Sequence, residues 1–482
     1  MSIIKHAVLK LTAVSLLIGG LVFASAANAA VFFSYSDDLS DSQQLDGAVV
    51  SAQTVWIFNT DSTAMTVQCC DWVAGPDSRD RFDKLNTTVA ANASTSVDLS
   101  VYRNGSTRQL NYVAGGASGS LNFTVGRAPN SAVMALNDSG TVQASSNGQV
   151  IENLRINTAQ DDFCAIVVDG KHDVIIRNID LAHHQRGICV YNSNNVTIEN
   201  VHVVSASAPE AGPHCDFGIS NCYAPNKISA WADPFHRMNI IIQNSDDVLI
   251  EHARLEKGSS GIYLNTSKRS RLHDIQCLDA RGPKSLGNCA LWDKSPDGSI
   301  INFSIQNFKN ISHVEDNLNM YDSDNGLVKH GYIDGNYSLY GVGVIADHGS
   351  DNLVVDDVDI MRTGVAAINV WAGDPVSNVG KNFTARNIRV RDTVCRGRHD
   401  VIPSSNGIAI ATHPSAINPS ITNTIYWNHC RDAVNWCISS SCRQAPGGVF
   451  DIREEEFTMR EPLELRFDWD AATPEITGLS ID

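Results

Sequence analysis

Asp293 in Leu-Trp-Asp-Lys, Asp322 and Asp324 in Tyr-Asp-Ser-Asp, and Asp347 with His348 in Ala-Asp-His-Gly follow one another at the interval of a short repeat. If each repeat makes one coil of a stacked structure, Asp293, Asp322 and Asp324 stand on adjacent coils, with Asp347 and His348 on the next. Carboxyl groups held this close push their pKa values apart, leaving one as an acid and one as a base. That division of labour is what hydrolysis of a glycosidic bond uses. A single Asp is equally well explained as a turn residue, so the reading rests on the cluster. Asp293, Asp322, Asp324 and His348 are the candidate catalytic residues.

Other chemistry can be drawn from the same neighbourhood. Removing a proton next to a sugar carboxylate needs a base and something to neutralise that carboxylate, often Ca²⁺. Lys294, His348 and Arg362 are candidate bases or substrate contacts, and Asp322 with Asp324 could ligate calcium. Hydrolysis needs no cofactor, so calcium is the only one the residues admit. Tyr191, Trp231 and Trp371 could stack on sugar rings through their apolar faces, and His413 could contact substrate. His183, His184 and Arg186 form a further basic group, which a solvated turn explains as well.

From about residue 150 a repeat of roughly 22–30 residues runs through the chain. One strand type reads Val174-Ile-Ile-Arg-Asn178, Asn195-Val-Thr-Ile-Glu-Asn200 and Asp247-Val-Leu-Ile-Glu251. A second reads Gly187-Ile-Cys-Val-Tyr191, Gly261-Ile-Tyr-Leu-Asn265, Cys289-Ala-Leu-Trp-Asp293 and Gly407-Ile-Ala-Ile-Ala411. Asn, Asp, Gly and Ser break the strands, and no amphipathic helix pattern intervenes, which excludes βαβ units. Coils that cannot bury their own apolar face must stack on one another. Strand alternation sets a register. Val168, Val190, Leu264, Trp292, Tyr321, Ile345, Val370 and Ile410 point inward. Asp169, Tyr191, Asn265, Asp293, Asp322, Ala346, Trp371 and Ala411 then point outward, with Trp231 joining them if Ile228–Trp231 forms a coil.

This pattern, over about residues 150–440, resembles the right-handed parallel β-helix proteins typified by pectate lyases, polygalacturonases and alginate-modifying enzymes. The resemblance implies an exported enzyme acting on a polysaccharide in a groove on one strand face. In polygalacturonases an Asp, an Asp pair and a His occupy successive coils, which Asp293, Asp322 with Asp324, and His348 match in order. The intact Asn-Thr-Asp and Gly-His-Gly motifs are absent, and Ser323 splits the acidic pair. Alginate C5-epimerases carry Asp-Pro-His, against Asp233-Pro234-Phe235-His236 here. The expected function is therefore polysaccharide cleavage, by hydrolysis ahead of β-elimination or epimerisation. A non-catalytic carbohydrate-binding protein or adhesin is the alternative from another class.

The remaining sequence sets the context. Residues 1–30 read as a signal peptide: Lys5 and Lys10, an apolar run Leu11–Phe23, and Ala27-Asn28-Ala29 as a cleavage site. The run is short for a membrane span, so the expected location is secreted or periplasmic. Residues 31–128 alternate in the manner of a small antiparallel β-sandwich. Residues 150–445 form the β-helix, and 446–482 leave the repeat as a C-terminal cap or tail. The fold class is all-β, a β-helix with that N-terminal sandwich. The twelve cysteines suit disulfides in an oxidising compartment. Close pairs are Cys215/Cys222, Cys277/Cys289 and Cys437/Cys442. A net charge of -17 without a basic stretch argues against nucleic acid as a partner. No nucleophilic-serine elbow, P-loop or HExxH motif occurs.

Overall fold

The computed structural model describes residues 31–34, 42–43, 49–50, 54–74, 85–98, 107–114, 117–125, 136–208, 237–282, 287–308, 311–336, 341–364, 366–370, 380–393, 408–412, 416–427, 447–467 and 475–477. The contacts divide the chain into two units, residues 1–128 and, apart from single residues at the C-terminus, 129–480. The signal-like segment 1–30 lies outside the described residues, as do Cys215, Cys222, Cys437 and Cys442.

The first unit holds a four-stranded and a five-stranded sheet, and every pairing is antiparallel except Val49–Val50 with Ala117–Val125. Alternation in Thr54–Asn59 buries Val55 and Ile57, at 2% and 0% exposure, and Met65 and Val67 are likewise fully buried.

The second unit is a parallel β-helix. Its strands form one sheet of 12 and one of 10, taking alternate strands of the chain until Val449–Glu454 joins the larger sheet directly after Ser420–Trp427. One coil illustrates the plan. Strand Ala290–Asp293 belongs to the 10-stranded sheet, a turn follows, and Ser299–Gln306 belongs to the 12-stranded sheet. A loop then leads to Asp316–Tyr321, one rung along the first sheet. The interior is an unbroken apolar column in which Val190, Ile242, Leu264, Trp292, Met320, Ala346 and Val370 share one line.

Two side-chain ladders hold the coils in register. The long strands bend at a residue of positive φ, such as Asn178, Asn200, Asp274, Asn302 and Asn387. Asn and Asp tolerate that left-handed conformation because their short side chains bond locally. Here they bond along the axis instead, Asn200 Nδ2 donating to Asn178 Oδ1 at 3.2 Å and Asn423 to Asn387 at 2.8 Å. A second stack crosses the turns, with Asn325 donating to Asp297 and Asn352 to Asn325.

A third ladder is internal and made of serine. Ser193, Ser245, Ser267, Ser295, Ser323 and Ser350 are all at most 5% exposed. Each of the first five donates its backbone N–H to the next serine's Oγ, at 2.8–3.1 Å. Each Oγ in turn donates to the carbonyl of the last outward residue of its own short strand, Asp293 for Ser295 and Tyr321 for Ser323. Buried hydroxyls are thereby satisfied, and the ends of the short strands are tied down.

This register corrects two of the expected inward positions. Tyr321 and Ile345 face outward, and Met320 and Ala346 take their places in the core. Val168, Val190, Leu264, Trp292 and Val370 are fully buried. Ile410 is in the core too, but it pairs with Ile368 rather than Val370, which sets Ala411 beside Asn369. The described part of 446–482 also does more than end the solenoid. Val449–Glu454 adds the last parallel strand. The chain then returns along the flank, where Arg460 meets Asp357 and Asp359 and Leu463 O accepts from Gln276 and Ser304.

Candidate active site

The outer face of the 10-stranded sheet presents the expected Tyr191 and Asp293. Its last outward row reads Tyr191, Gln243, Asn265, Asp293, Tyr321 and Asp347 from coil to coil. The row beside it is apolar at one end, with Ile241, Tyr263 and Leu291 packed together with Met238 against Tyr191 and Tyr321. Toward the other end that row becomes Asn319 and Ile345. The residue following each outward position adopts positive φ: Asn192, Asn244, Thr266, Lys294, Asp322 and His348. Outward row and turn residue together form a grid, Asp293–Lys294, Tyr321–Asp322 and Asp347–His348 on three successive coils.

Asp293 is an acceptor toward the preceding coil. Its Oδ2 receives the Tyr263 hydroxyl at 2.9 Å and Asn265 Nδ2 at 2.7 Å. Burial, then the adjacent Asp293 charge, pushes the Tyr263 phenol well above its ordinary range, so that it stays a donor. Asp347 is paired differently. Its Oδ1 accepts both the backbone N–H of His348 and, at 2.8 Å, the His348 ring Nδ1. Burial raises the Asp347 carboxyl above the usual carboxylate range, and His348 opposes that shift without cancelling it. Tyr321 lies between the two carboxyls. Its ring stacks on His348 with centroids 4.0 Å apart. Its phenol is raised by burial and then by Asp347, Asp293 and Asp322, so it too is held neutral.

Of the expected residues, Asp293 stands in this row two strands from Asp347, and His348 follows Asp347 in the turn. Asp322 stands at the rim, exposed, donating its N–H to Asp347 O at 3.1 Å. Asp324 is apart from them in the turn stack, where its Oδ1 accepts the Asp351 N–H at 2.7 Å. Lys294 is exposed beside Asp293. Tyr191 is on the row, three coils from Asp293, and its hydroxyl receives Arg186 Nη1 at 3.0 Å. Arg362 is outside the row. It follows strand Val354–Met361 of the other sheet and donates Nε to Asp334 at 2.6 Å. Trp231, Trp371, His413 and the Asp233-Pro-Phe-His236 motif lie outside the described residues. Sequence reasoning missed Tyr321, Tyr263 and Asn265. The repeated serine two residues after the outward position would have found Tyr321, since Asn265-x-Ser267, Asp293-x-Ser295 and Tyr321-x-Ser323 align on it.

Two disulfides fall among the described residues. Cys164–Cys189 joins neighbouring coils and Cys277–Cys289 links a long strand to the next short one. Such bonds persist in oxidising compartments. Among the described residues no helix is long and apolar enough to cross a membrane.

Solved structures with a similar chain course include an alginate lyase from Paenibacillus sp. str. FPU-7. It is 11% identical, with a TM-score of 0.39, covering 59% of this chain and 88% of that one. PfbA, a surface adhesin of Streptococcus pneumoniae, is 9% identical with a TM-score of 0.41, covering 69% and 78%. The catalytic domain of an α-1,3-glucanase in complex with nigerose is 11% identical with a TM-score of 0.36, covering 85% and 91%. No curated protein sequence matches the chain.

The family model described as "Periplasmic copper-binding protein (NosD)" matches residues 91–338. Copper is held by clustered imidazole, thiolate or thioether donors. Among the described residues no group of three or more His, Cys, Asp or Glu side chains could hold a metal ion. Cys164, Cys189, Cys277 and Cys289 are in disulfides, and His202, His252, His330 and His348 are each engaged by a carboxylate. The described donors thus do not fit copper. The matched span exceeds half of the chain and takes in the coils of Asp293 and Tyr321: the chain belongs to the NosD family of parallel β-helix proteins.

Proposed function

We propose that this protein cleaves a polysaccharide laid along the outer face of the 10-stranded sheet, by hydrolysis between Asp293 and Asp347. The observation that carries the reading is the row itself: two carboxyls in different environments, flanking a neutral phenol, on three successive strands. Strands two apart in a sheet are separated by about 9.5 Å. That is at the upper end of the roughly 6.5–9.5 Å between carboxyls that lets a water enter opposite the leaving group.

Asp347 is the proton donor in this scheme. Burial favours its neutral form, and His348 occupies Oδ1, which leaves Oδ2 to carry the proton to the glycosidic oxygen. Once the proton has gone, the His348 N–H groups stabilise the carboxylate that remains. Asp293 takes the proton of the attacking water, oriented by Tyr263 and Asn265. Tyr321 offers its hydroxyl to the sugar between them. The half-buried Tyr191 and Tyr321, packed against the apolar cluster of Ile241, Tyr263 and Leu291, receive the flat faces of neighbouring rings. The family description and the two disulfides support a periplasmic setting for this activity.

The stacked Tyr321–His348 pair also has the parts of an eliminative base and acid, which keeps β-elimination as the second reading. The experiment that separates them incubates the protein with a panel of polysaccharides and follows both new reducing ends and ultraviolet absorbance. Reducing ends without an absorbing double bond support hydrolysis, and an absorbing product supports elimination. If neither signal appears while the panel is bound, the protein is a carbohydrate-binding one.

A further inference from the structure

Beside Asp347, the same face holds a buried polar pair. Asp316 opens strand Asp316–Tyr321 and Asn319 lies three residues on. They are 4% and 5% exposed. Asn319 Nδ2 donates to Asp316 Oδ2 at 3.1 Å, and Asp316 Oδ1 accepts the Val342 N–H at 3.2 Å. The other end of the Asn319 amide, Oδ1, is buried with no hydrogen-bond partner. An amide in covered surroundings with one end unmatched is destabilising unless something supplies the missing bond.

The assignment of amide oxygen and nitrogen depends on the partner's protonation. Burial, then Glu315 and Asp347, raises the Asp316 carboxyl well above its usual range. If Asp316 donates, the Asn319 amide turns over and the unmatched atom becomes Nδ2. In either orientation one polar atom is left unmatched, as an acceptor or as a donor. A hydroxyl satisfies both, since it can donate and accept. A carboxylate satisfies only one of them. It would also sit near the charges of Glu315 and Asp347, and His348 is already paired with Asp347.

We propose that Asp316 and Asn319 form a hydroxyl-binding subsite for an uncharged sugar, so that the unit seated against Asp347 is a neutral hexose or pentose rather than a uronate. This rests on the glycan-cleaving reading of the row and names the class of substrate for it. It also sets elimination aside at this position, because elimination needs the uronate carboxylate.

The test measures binding by affinity electrophoresis and cleavage by reducing ends for the full-length protein and for N319A. The neutral panel is laminarin, galactomannan, dextran and xylan, and the acidic panel is polygalacturonate and alginate. At least one neutral polymer should be bound and cleaved, neither uronate should be retarded, and N319A should weaken neutral binding by about tenfold. N319S, which keeps a hydroxyl in place of the amide, should fold as the wild type and recover part of the binding if N319A proves unstable. Retardation by a uronate polymer at least as strong as by any neutral one overturns the proposal, as does neutral binding unchanged in both variants. A neutral polymer that is bound in an Asn319-dependent way but never cut overturns the cleavage reading alone. Cleavage of a uronate, unaffected by N319A, overturns the subsite alone. Binding of no polymer overturns both.

Discussion

Tyr321 and His348 stack with ring centroids 4.0 Å apart, across one rung of the sheet. The contact exists because Tyr321 is the outward residue of its strand while His348 is the left-handed turn residue after Asp347. It fixes the imidazole plane, and the ring Nδ1 is then directed at Asp347. Removing the ring should therefore cost more than removing the phenol. Tyr321→Ala should lower kcat by more than Tyr321→Phe does, with KM measured for both. An equal loss in the two variants would show that the stack has no positioning role.

Asp293 and Asp347 are assigned the two proton transfers. General acid–base groups contribute typically about 10²–10⁴-fold. Asp347→Asn and Asp293→Asn should each fall by about that factor, with thermal unfolding close to wild type. Asp324→Asn should stay within about twofold, because Asn still accepts the Asp351 N–H and surface substitutions of this kind shift free energies by about 0.5 kcal/mol or less. Steady-state rates on one cleaved polymer check all three.

The flank facing the C-terminal segment titrates separately from the site. His202 bonds to Asp180 and Glu256, and Phe467 lies over its ring at 6.2 Å. Burial pushes the imidazole down, but the two carboxylates outweigh it and lift it to about 8. The His202 hydrogen bond, with Arg254, holds Glu256 down at about 2. The His202 contribution is complete below its ordinary value of 6.5 and is lost as pH rises through about 8. That of Glu256 is complete above 4.5 and is lost as pH falls through about 2. Melting temperature should thus hold between about pH 4.5 and 6.5 and fall on the alkaline side. His202→Gln should flatten that alkaline fall, which differential scanning calorimetry can read.

Gly331 faces the Phe303 ring so closely that an added Cβ would come within 2.1 Å of it. Phe303 is fully buried in the apolar column. Gly331→Ala should destabilise by about 1–3 kcal/mol through overpacking, and Gly331→Ala with Phe303→Leu should recover part of it. Urea unfolding of the single and double variants measures the coupling.

The β-helix was legible because two periodicities agree: the alternation within each short strand and the return of Asn and Asp at its turns. Val168, Val190, Leu264 and Trp292 follow from the first alone. Alternation fixes parity but not the phase of a coil whose turn length varies. Counting from Tyr-Asp-Ser-Asp, Tyr321 could be placed inward and Asp322 outward. The buried serine ladder decides otherwise, because Ser323 must reach the Tyr321 carbonyl as Ser295 reaches that of Asp293. In the next coil Gly349 adds one residue before Ser350, which sets Asp347 rather than His348 in the row. The Asp316–Asn319 pair has no comparable sequence signal. It depends on burial and on which of many Asn residues is left with an unmatched atom.

The central claim is that water, activated at Asp293, breaks a glycosidic bond whose leaving oxygen is protonated from Asp347. The most direct test runs the cleavage in heavy-oxygen water and analyses the new chain ends by mass spectrometry, for wild type and for Asp293→Asn. Hydrolysis predicts one solvent oxygen at the anomeric position of each new reducing end, and loss of that product in Asp293→Asn. Products that carry no solvent oxygen and instead contain an unsaturated terminal sugar would contradict the account.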